Sequence, residues 1–203
     1  DPDGSGGYSS RLALLKSAVH SFLDKMDGHT GNINISVISF SSSAALLLSG
    51  TLAEVQAQLD AANNSFDSLT ANGGTNYEAA LQAANNWFSG IESNGYANLA
   101  YFLTDGDPTY SNSSGNGNTV SQSVVVQALD DFSILSVRAD VHAIGIGTGV
   151  NSDVLRYFDD TTQLSGDVTT NLSGGSVVAP VGEPLVVTTP AQLEAALDPG
   201  SGR

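Results

Sequence analysis

Ala97-Asn98-Leu99-Ala100-Tyr101-Phe102-Leu103-Thr104-Asp105-Gly106-Asp107-Pro108 is an apolar run that passes without a break into an acidic turn. Residues 97–104 read as a central strand. A carboxylate turn at the carboxyl end of such a strand is where open α/β sheets place ligand sites. Upstream, Leu69-Thr70-Ala71-Asn72-Gly73-Gly74-Thr75-Asn76 is turn chemistry. Beyond it Tyr77, Ala80, Leu81, Ala84, Trp87, Phe88 and Ile91 recur at helical spacing, so a loop delivers Thr75 to a helix N-terminus. Downstream, residues 110–118 form a Ser/Asn/Gly loop and 123–136 a helix. Residues 139–146 form a second buried strand ending in Gly147-Thr148-Gly149, and 151–158 a short helix.

Toward the ends of the chain, Leu12, Leu14, Leu15, Ala18, Val19, Phe22, Leu23 and Met26 predict an amphipathic helix over 11–26, with Ser9 and Ser10 as N-caps and Asp27-Gly28 as the stop. Residues 33–40 predict a buried strand, 44–48 a short edge strand and 52–62 a helix. Residues 161–175 read as a polar region and 177–187 as one or two short strands. A terminal helix covers 190–197, capped by Thr189 with Pro190 in first position. The order α, β, (β), α, α, β, α, β, α, β, α predicts an α/β fold, doubly wound and Rossmann-like, with a mostly parallel sheet and helices on both faces. It opens on a helix and lacks the first central strand that should precede it. With no internal repeat, 11–198 read as one domain, 1–10 as an acidic Gly-rich loop and 199–203 as a linker or an engineered end.

Composition narrows the function. Of 203 residues, 40% are apolar and 13% charged, a globular balance. Twenty-one acidic against 6 basic residues give a formal charge of −15. That field repels phosphate backbones and anionic headgroups and attracts divalent cations, so no nucleic-acid partner is expected. The absence of cysteine rules out disulfides, thiolate metal sites and a Cys nucleophile. No apolar run approaches the roughly 18 residues of a membrane span, so no membrane insertion is expected. The opening Asp1-Pro2-Asp3-Gly4-Ser5-Gly6-Gly7 has no signal-peptide character and reads as a loop.

Two loops, Gly73-Gly74-Thr75-Asn76 and Leu103-Thr104-Asp105-Gly106-Asp107, supply oxygen donors, and an amphipathic helix and a strand separate them. Together with the helix opening Ser10-Arg11-Leu12 and the strand end Ile144-Gly145-Ile146-Gly147, they resemble the von Willebrand factor type A domain and its metal-ion-dependent adhesion site, over residues 11–197. The resemblance implies that Thr75 donates its hydroxyl to Mg²⁺ or Ca²⁺ directly when a ligand is bound. It implies that Asp105 places a carboxylate near the ion, often through water. A hard cation held by one or two carboxylates stays electrophilic, so an acidic group of a partner can complete its shell.

The sequence departs from the family at one point. The family's first strand ends in Asp-x-Ser-x-Ser, and that pentapeptide is absent; its place would be immediately before Asp1. The expectation is that the chain begins just after the motif, without a central strand and three ligands. Its two neighbours would then carry unpaired backbone, at roughly 1–3 kcal/mol per buried polar group. Asp1, Asp3 and Ser5 resemble the start of a calcium loop, although position twelve is Leu12 and not a bidentate Glu; the other reading is a solvated terminus. Large bacterial adhesins of the RTX type carry type A domains with such an insert, and that resemblance implies an extracellular or cell-surface location and neighbouring modules.

Each candidate also has a structural reading: Asp105 as a strand-end turn residue, Thr75 as a helix cap, Asp107 as a turn former before Pro108. Asn76 and Glu78 either stand behind the metal ligands or belong to a solvated first turn. Other chemistries find less support. Gly145-Ile146-Gly147-Thr148-Gly149 has its third glycine displaced for a dinucleotide loop, and there is no phosphate-binding Gly-x-x-x-x-Gly-Lys. His20, His29 and His142 lack metal-ligand spacing, His142 reading as a core residue and Trp87-Phe88 as core packing. No Gly-x-Ser-x-Gly elbow occurs. The leading expectation is a non-enzymatic, divalent-cation-dependent module that binds a protein or glycan ligand within a large adhesin. Its rivals are a structural spacer with an incomplete metal site and a hydrolase with an unrecognised triad.

Overall fold

A computed structural model describes residues 8–29, 31–91, 95–115 and 117–198. In chain order these form α1 (Tyr8–Met26), β1 (Asn34–Phe40), β2 (Ala44–Thr51), α2 (Leu52–Asp60), α3 (Tyr77–Ser89), β3 (Leu99–Thr104) and α4 (Gln122–Leu135). There follow β4 (Asp140–Ile146), α5 (Ser152–Leu155) continued by a 3₁₀ turn (Arg156–Phe158), β5 (Val168–Leu172), β6 (Gly175–Ala179), β7 (Leu185–Val187) and α6 (Pro190–Ala196).

The expected parallel sheet is present as β3-β4-β7, with β4 in the middle and Phe102 opposite Ala143. Side chains alternate across it with the period of two that a strand imposes. Tyr101, Leu103, Ile144 and Ile146 face α1 and α6, where Ala18, Leu193 and Leu197 are buried. Phe102, Val141 and Ala143 face the other layer, packing with Tyr77 and Leu81 of α3, Val125 and Ala128 of α4, and Leu155, Tyr157 and Phe158. This two-faced burial is the physical content of the doubly wound pattern.

β1 and β2 form an antiparallel hairpin with a register shift at Val37/Ile38. Ile35 and Val37 pack with Leu23 of α1 and with Val55 and Leu59 of α2. Among the described residues β1 pairs only with β2, and β3 only with β4. Side chains bridge the two sheets: α1 packs on both, and Phe40 at the end of β1 stacks on Phe102 of β3 with centroids 5.4 Å apart. The expectation of a buried strand at 33–40 is therefore corrected. β1 is half-buried along most of its length because only one of its edges has a neighbouring strand.

Three further readings change. α1 starts at Tyr8, so Ser9 and Ser10 lie inside the helix, where the extended backbone of a cap is excluded. The polar region 161–175 contains β5, which pairs with β6 in a hairpin outside the parallel sheet. Val168 and Leu172 of β5 pack against the core beside Val177, an alternation masked by the intervening Thr and Asn residues. His142 is half-buried rather than core, with its ring 5.4 Å from that of Tyr101. At the other end Thr189 caps α6 as expected, in a capping box with Gln192 and with Pro190 in the first turn.

β7 is short and pairs with Ile144–Ile146, so that among the described residues the start of β4 has no strand neighbour on that side. Carboxylates close the gap. Asp160 Oδ1 accepts the Val141 amide at 2.6 Å and Asp159 Oδ2 the Ala143 amide at 2.8 Å. Asp159 Oδ1 also accepts from the amide and hydroxyl of Thr161, which accounts for a carboxylate only 4% exposed.

Candidate metal-binding site

β3 ends at Thr104, and the chain turns at once into Asp105-Gly106-Asp107. The turn is held from below. The Thr104 hydroxyl donates to the Gly106 carbonyl at 2.7 Å, and the Tyr77 hydroxyl donates to the same oxygen at 2.8 Å. Tyr77 is fully buried, and burial pushes its phenol far above the ordinary value, so it remains a donor at any ordinary pH.

The second loop is clamped against the first. The Thr75 carbonyl accepts the amides of Thr109 at 2.9 Å and Tyr110 at 3.0 Å. A Cβ at Gly106 would sit 3.2 Å from Thr75 Oγ1, so the bare glycine gives the threonine hydroxyl its room beside the acidic turn. That hydroxyl carries no hydrogen bond to any described residue. The serines after β1 complete this end of the molecule: Ser41 O accepts the Asn76 amide at 2.8 Å and Ser42 Oγ the Gly74 amide at 2.9 Å. The carboxyl ends of β1 and β3 and the start of α3 therefore meet at one place. The Ser41-Ser42-Ser43 loop is a part of the site that the sequence reading missed, although three consecutive serines at a strand end are a visible signal.

The sequence candidates separate here. Thr75 and Asp105 are brought to the same end of the molecule, both half-buried, with Gly106 next to Asp105 lying against the Thr75 hydroxyl. Asn76, not Thr75, is the N-cap of α3: its Oδ1 accepts the Ala79 amide at 3.0 Å, and its Nδ2 donates to Ser42 O and Asn112 Oδ1. At 1% exposure with all these bonds made, Asn76 is a structural cap. Glu78 likewise accepts the Asn112 amide at 2.7 Å and so holds the 105–117 loop to α3. Asp107 Oδ1 accepts the Asn151 amide at 2.7 Å, tying the turn to the start of α5. Burial raises its carboxyl above the usual range, and the Asn151 amide opposes that shift in part. Asp1, Asp3 and Ser5 lie outside the described residues.

Asp105 has a partner that the sequence did not announce. Arg11 Nε donates to Asp105 Oδ2 at 3.0 Å across 94 positions of chain, with Arg11 15% and Asp105 37% exposed. A cationic group thus already stands against the candidate carboxylate. A hydroxyl and a carboxylate are donors of the kind a hard cation takes, and the arginine marks the carboxylate as one that takes positive charge. Their number does not fill a shell: no group of three His, Cys, Asp or Glu that could hold a metal occurs among the described residues.

The sequence profile of the von Willebrand factor type A domain matches residues 3–107, just over half of the chain and the part that carries both loops. The chain belongs to this family. Domains of the family often serve adhesion and metal-dependent binding, and they generally mediate protein interactions. Among solved structures, the pilus adhesin SpaC from Lactobacillus rhamnosus GG aligns with 95% of this chain and 28% of its own at 16% identity, TM-score 0.66. A von Willebrand factor type A protein from Catenulispora acidiphila aligns with 92% of this chain and 36% of its own at 18% identity, TM-score 0.60. Proximal thread matrix protein 1 from the mussel byssus, solved with a zinc-occupied MIDAS motif, aligns with 92% of this chain and 41% of its own at 16% identity, TM-score 0.58. At these identities the likeness is one of fold, and this von Willebrand type A chain spans well under half the length of each of the three. No curated protein sequence matches it. No described helix is long and apolar enough to cross a membrane.

Proposed function

We propose that this von Willebrand type A chain is a divalent-cation-dependent binding module of a large secreted or cell-surface bacterial adhesin, in which Thr75 and Asp105 hold Mg²⁺ or Ca²⁺. A protein or glycan ligand would supply an acidic oxygen to the ion, without turnover. The observation that carries the reading is the placement of the Thr75 hydroxyl, 3.2 Å from where a Cβ of Gly106 would sit, beside the acidic turn that Asp105 opens at the carboxyl end of β3. The adhesin and thread-matrix relatives support an extracellular setting.

Two donors leave most of a six-coordinate shell to water, ligand and other protein groups. Among the described residues β1 and β3 each lack a strand partner on one edge, while α1 and the Phe40-Phe102 stack hold the two sheets together. The Arg11–Asp105 pair favours a second reading, a structural spacer in which the arginine permanently neutralises the site.

Calorimetric titration with Ca²⁺ and with Mg²⁺ after exhaustive chelation separates the two. The binding module gives saturable heat that Asp105→Ala abolishes and Thr75→Ala weakens. Heats identical in the parent and both variants would leave the spacer.

A further inference from the structure

We propose that Arg11 is an internal cation for Asp105, and that a divalent ion and the Arg11 guanidinium compete for this carboxylate. The inference rests on the reading of Thr75 and Asp105 as a cation site and adds the element that sets its affinity. An arginine guanidinium is a planar, permanently cationic fork suited to pairing with a carboxylate. Its bond is charge-assisted and of ordinary length, 3.0 Å.

The arginine is the more enclosed partner, 15% against 37% exposed. Its helix is anchored on both sides: Leu14, Leu15 and Ala18 pack with α6 and the parallel sheet, and Leu23 packs with the β1–β2 layer. One turn further on, Lys16 Nζ donates to the carbonyls of Asp67 and Leu69 at 2.7 and 2.8 Å. That ties α1 to the segment leading into Gly73–Asn76. α1 thus presents Arg11 to the site from a fixed base, and a long side chain can leave Asp105 without moving the helix.

The exchange is a balanced one. An arriving ion takes the Asp105 carboxylate and the Arg11 guanidinium gives up that bond, so the chain's net charge rises by the full +2 of the ion. Linkage makes the effect reciprocal: whatever holds Arg11 on Asp105 weakens cation binding, and bound cation frees Arg11 by the same factor. Only 6 of 203 residues are basic against 21 acidic, so diffuse cation attraction is the default of this surface. A local positive charge at one carboxylate keeps weakly bound cations out of that position.

The test uses this chain after chelation, titrated with Ca²⁺ and with Mg²⁺. Arg11→Ala and Arg11→Met, the second keeping part of the aliphatic stem, are each expected to bind about tenfold more tightly than the parent, which is about 1.4 kcal/mol. Adding Asp105→Ala to either removes the gain. In the parent, the ¹⁵N-resolved Nε–H signal of Arg11 is expected to shift with the same midpoint as the heat. Affinities unchanged or weakened in both Arg11 variants, with the parent still binding, would overturn the competition and leave the cation site standing. An Nε–H signal that stays put at saturating cation would do the same. No saturable binding in the parent or in either variant would overturn both.

Discussion

The Gly106 carbonyl is the point on which the acidic turn rests, and two buried hydroxyls share it. Tyr77→Phe removes one donor and keeps the ring, whose edge-on contacts with Phe102 and Phe158 at 4.7 and 5.0 Å persist. Thr104 still serves the oxygen, so the cost should be that of one exchanged hydrogen bond, about 1 kcal/mol. Thr104→Val removes the other donor at nearly constant shape, together with a weak acceptor for the Gly106 amide at 3.3 Å. It should cost about 1–2 kcal/mol. In the double variant the carbonyl loses both partners and is left unsatisfied. The two costs should therefore exceed their sum by roughly 1–2 kcal/mol, the penalty for an unmet polar group. Urea unfolding reads this directly as a shift of midpoint at constant slope. Each kilocalorie should also lower the melting temperature by roughly 2–4 °C in a chain of this size. If the double variant were additive within about 0.5 kcal/mol, the two hydroxyls would not be acting through a shared acceptor. The turn would then be held by something other than the bonds described.

Three further predictions concern a carboxylate and two glycines. Asp160 has its carboxyl raised, first by burial and also by the nearby charges of Asp140 and Asp159. A folded-state pKa above the unfolded value means the stabilising share is complete below about 4 and is lost as pH climbs through the raised value. Asp160→Asn, which keeps an acceptor for Val141, should therefore gain on the parent as pH rises from about 4 to 7. The gain should stay under about 1 kcal/mol because the group is half-exposed, and urea midpoints at the two pH values check it. A Cβ at Gly182 would lie 2.4 Å from the Asp159 backbone oxygen, whereas one at Gly74 would clash with side-chain atoms, the edge of the Tyr110 ring, and touch Ser42 Oγ at 3.4 Å. Gly182→Ala should cost more than the roughly 1–3 kcal/mol of ordinary overpacking. Gly74→Ala should be partly relieved by adding Tyr110→Ala, a rescue seen or not seen in thermal melts.

The order of helices and strands was legible because the periodicities are clean: α3 and β3 fall within two residues of their expected positions, and Thr189-Pro190 announced α6. Family membership was legible because Gly-Gly-Thr-Asn and Thr-Asp-Gly-Asp occur in the right order around a helix and a strand, with the Ser10-Arg11-Leu12 helix opening before them and the Ile144–Gly147 strand end after them. What resisted reading was set by long-range geometry. No local pattern states that Arg11 reaches Asp105, because nothing in the first turn of α1 distinguishes an outward arginine from one aimed at a strand end. β5 was hidden because its solvent-facing Thr and Asn outweigh two apolar residues in any short window. The buried state expected for β1 failed for a different reason. Its composition is that of a strand with neighbours on both sides, and the described chain supplies one.

The break between the two sheets has a consequence for how the molecule opens. With no ladder between β1 and β3 among the described residues, the β1–β2 hairpin and α2 form a unit joined to the rest by side-chain packing and by scattered bonds around Ser41, Ser42 and Asn76, from Trp87 to Ser49 and from Gln56 to α1. Strand ladders are what make distant parts of a sheet exchange their amides together, and here that coupling is interrupted. Amide protons of β1 and β2 should accordingly exchange through a lower-energy partial opening, while those of β4, walled in by β3, β7 and the carboxylates of Asp159 and Asp160, wait for the whole domain to unfold.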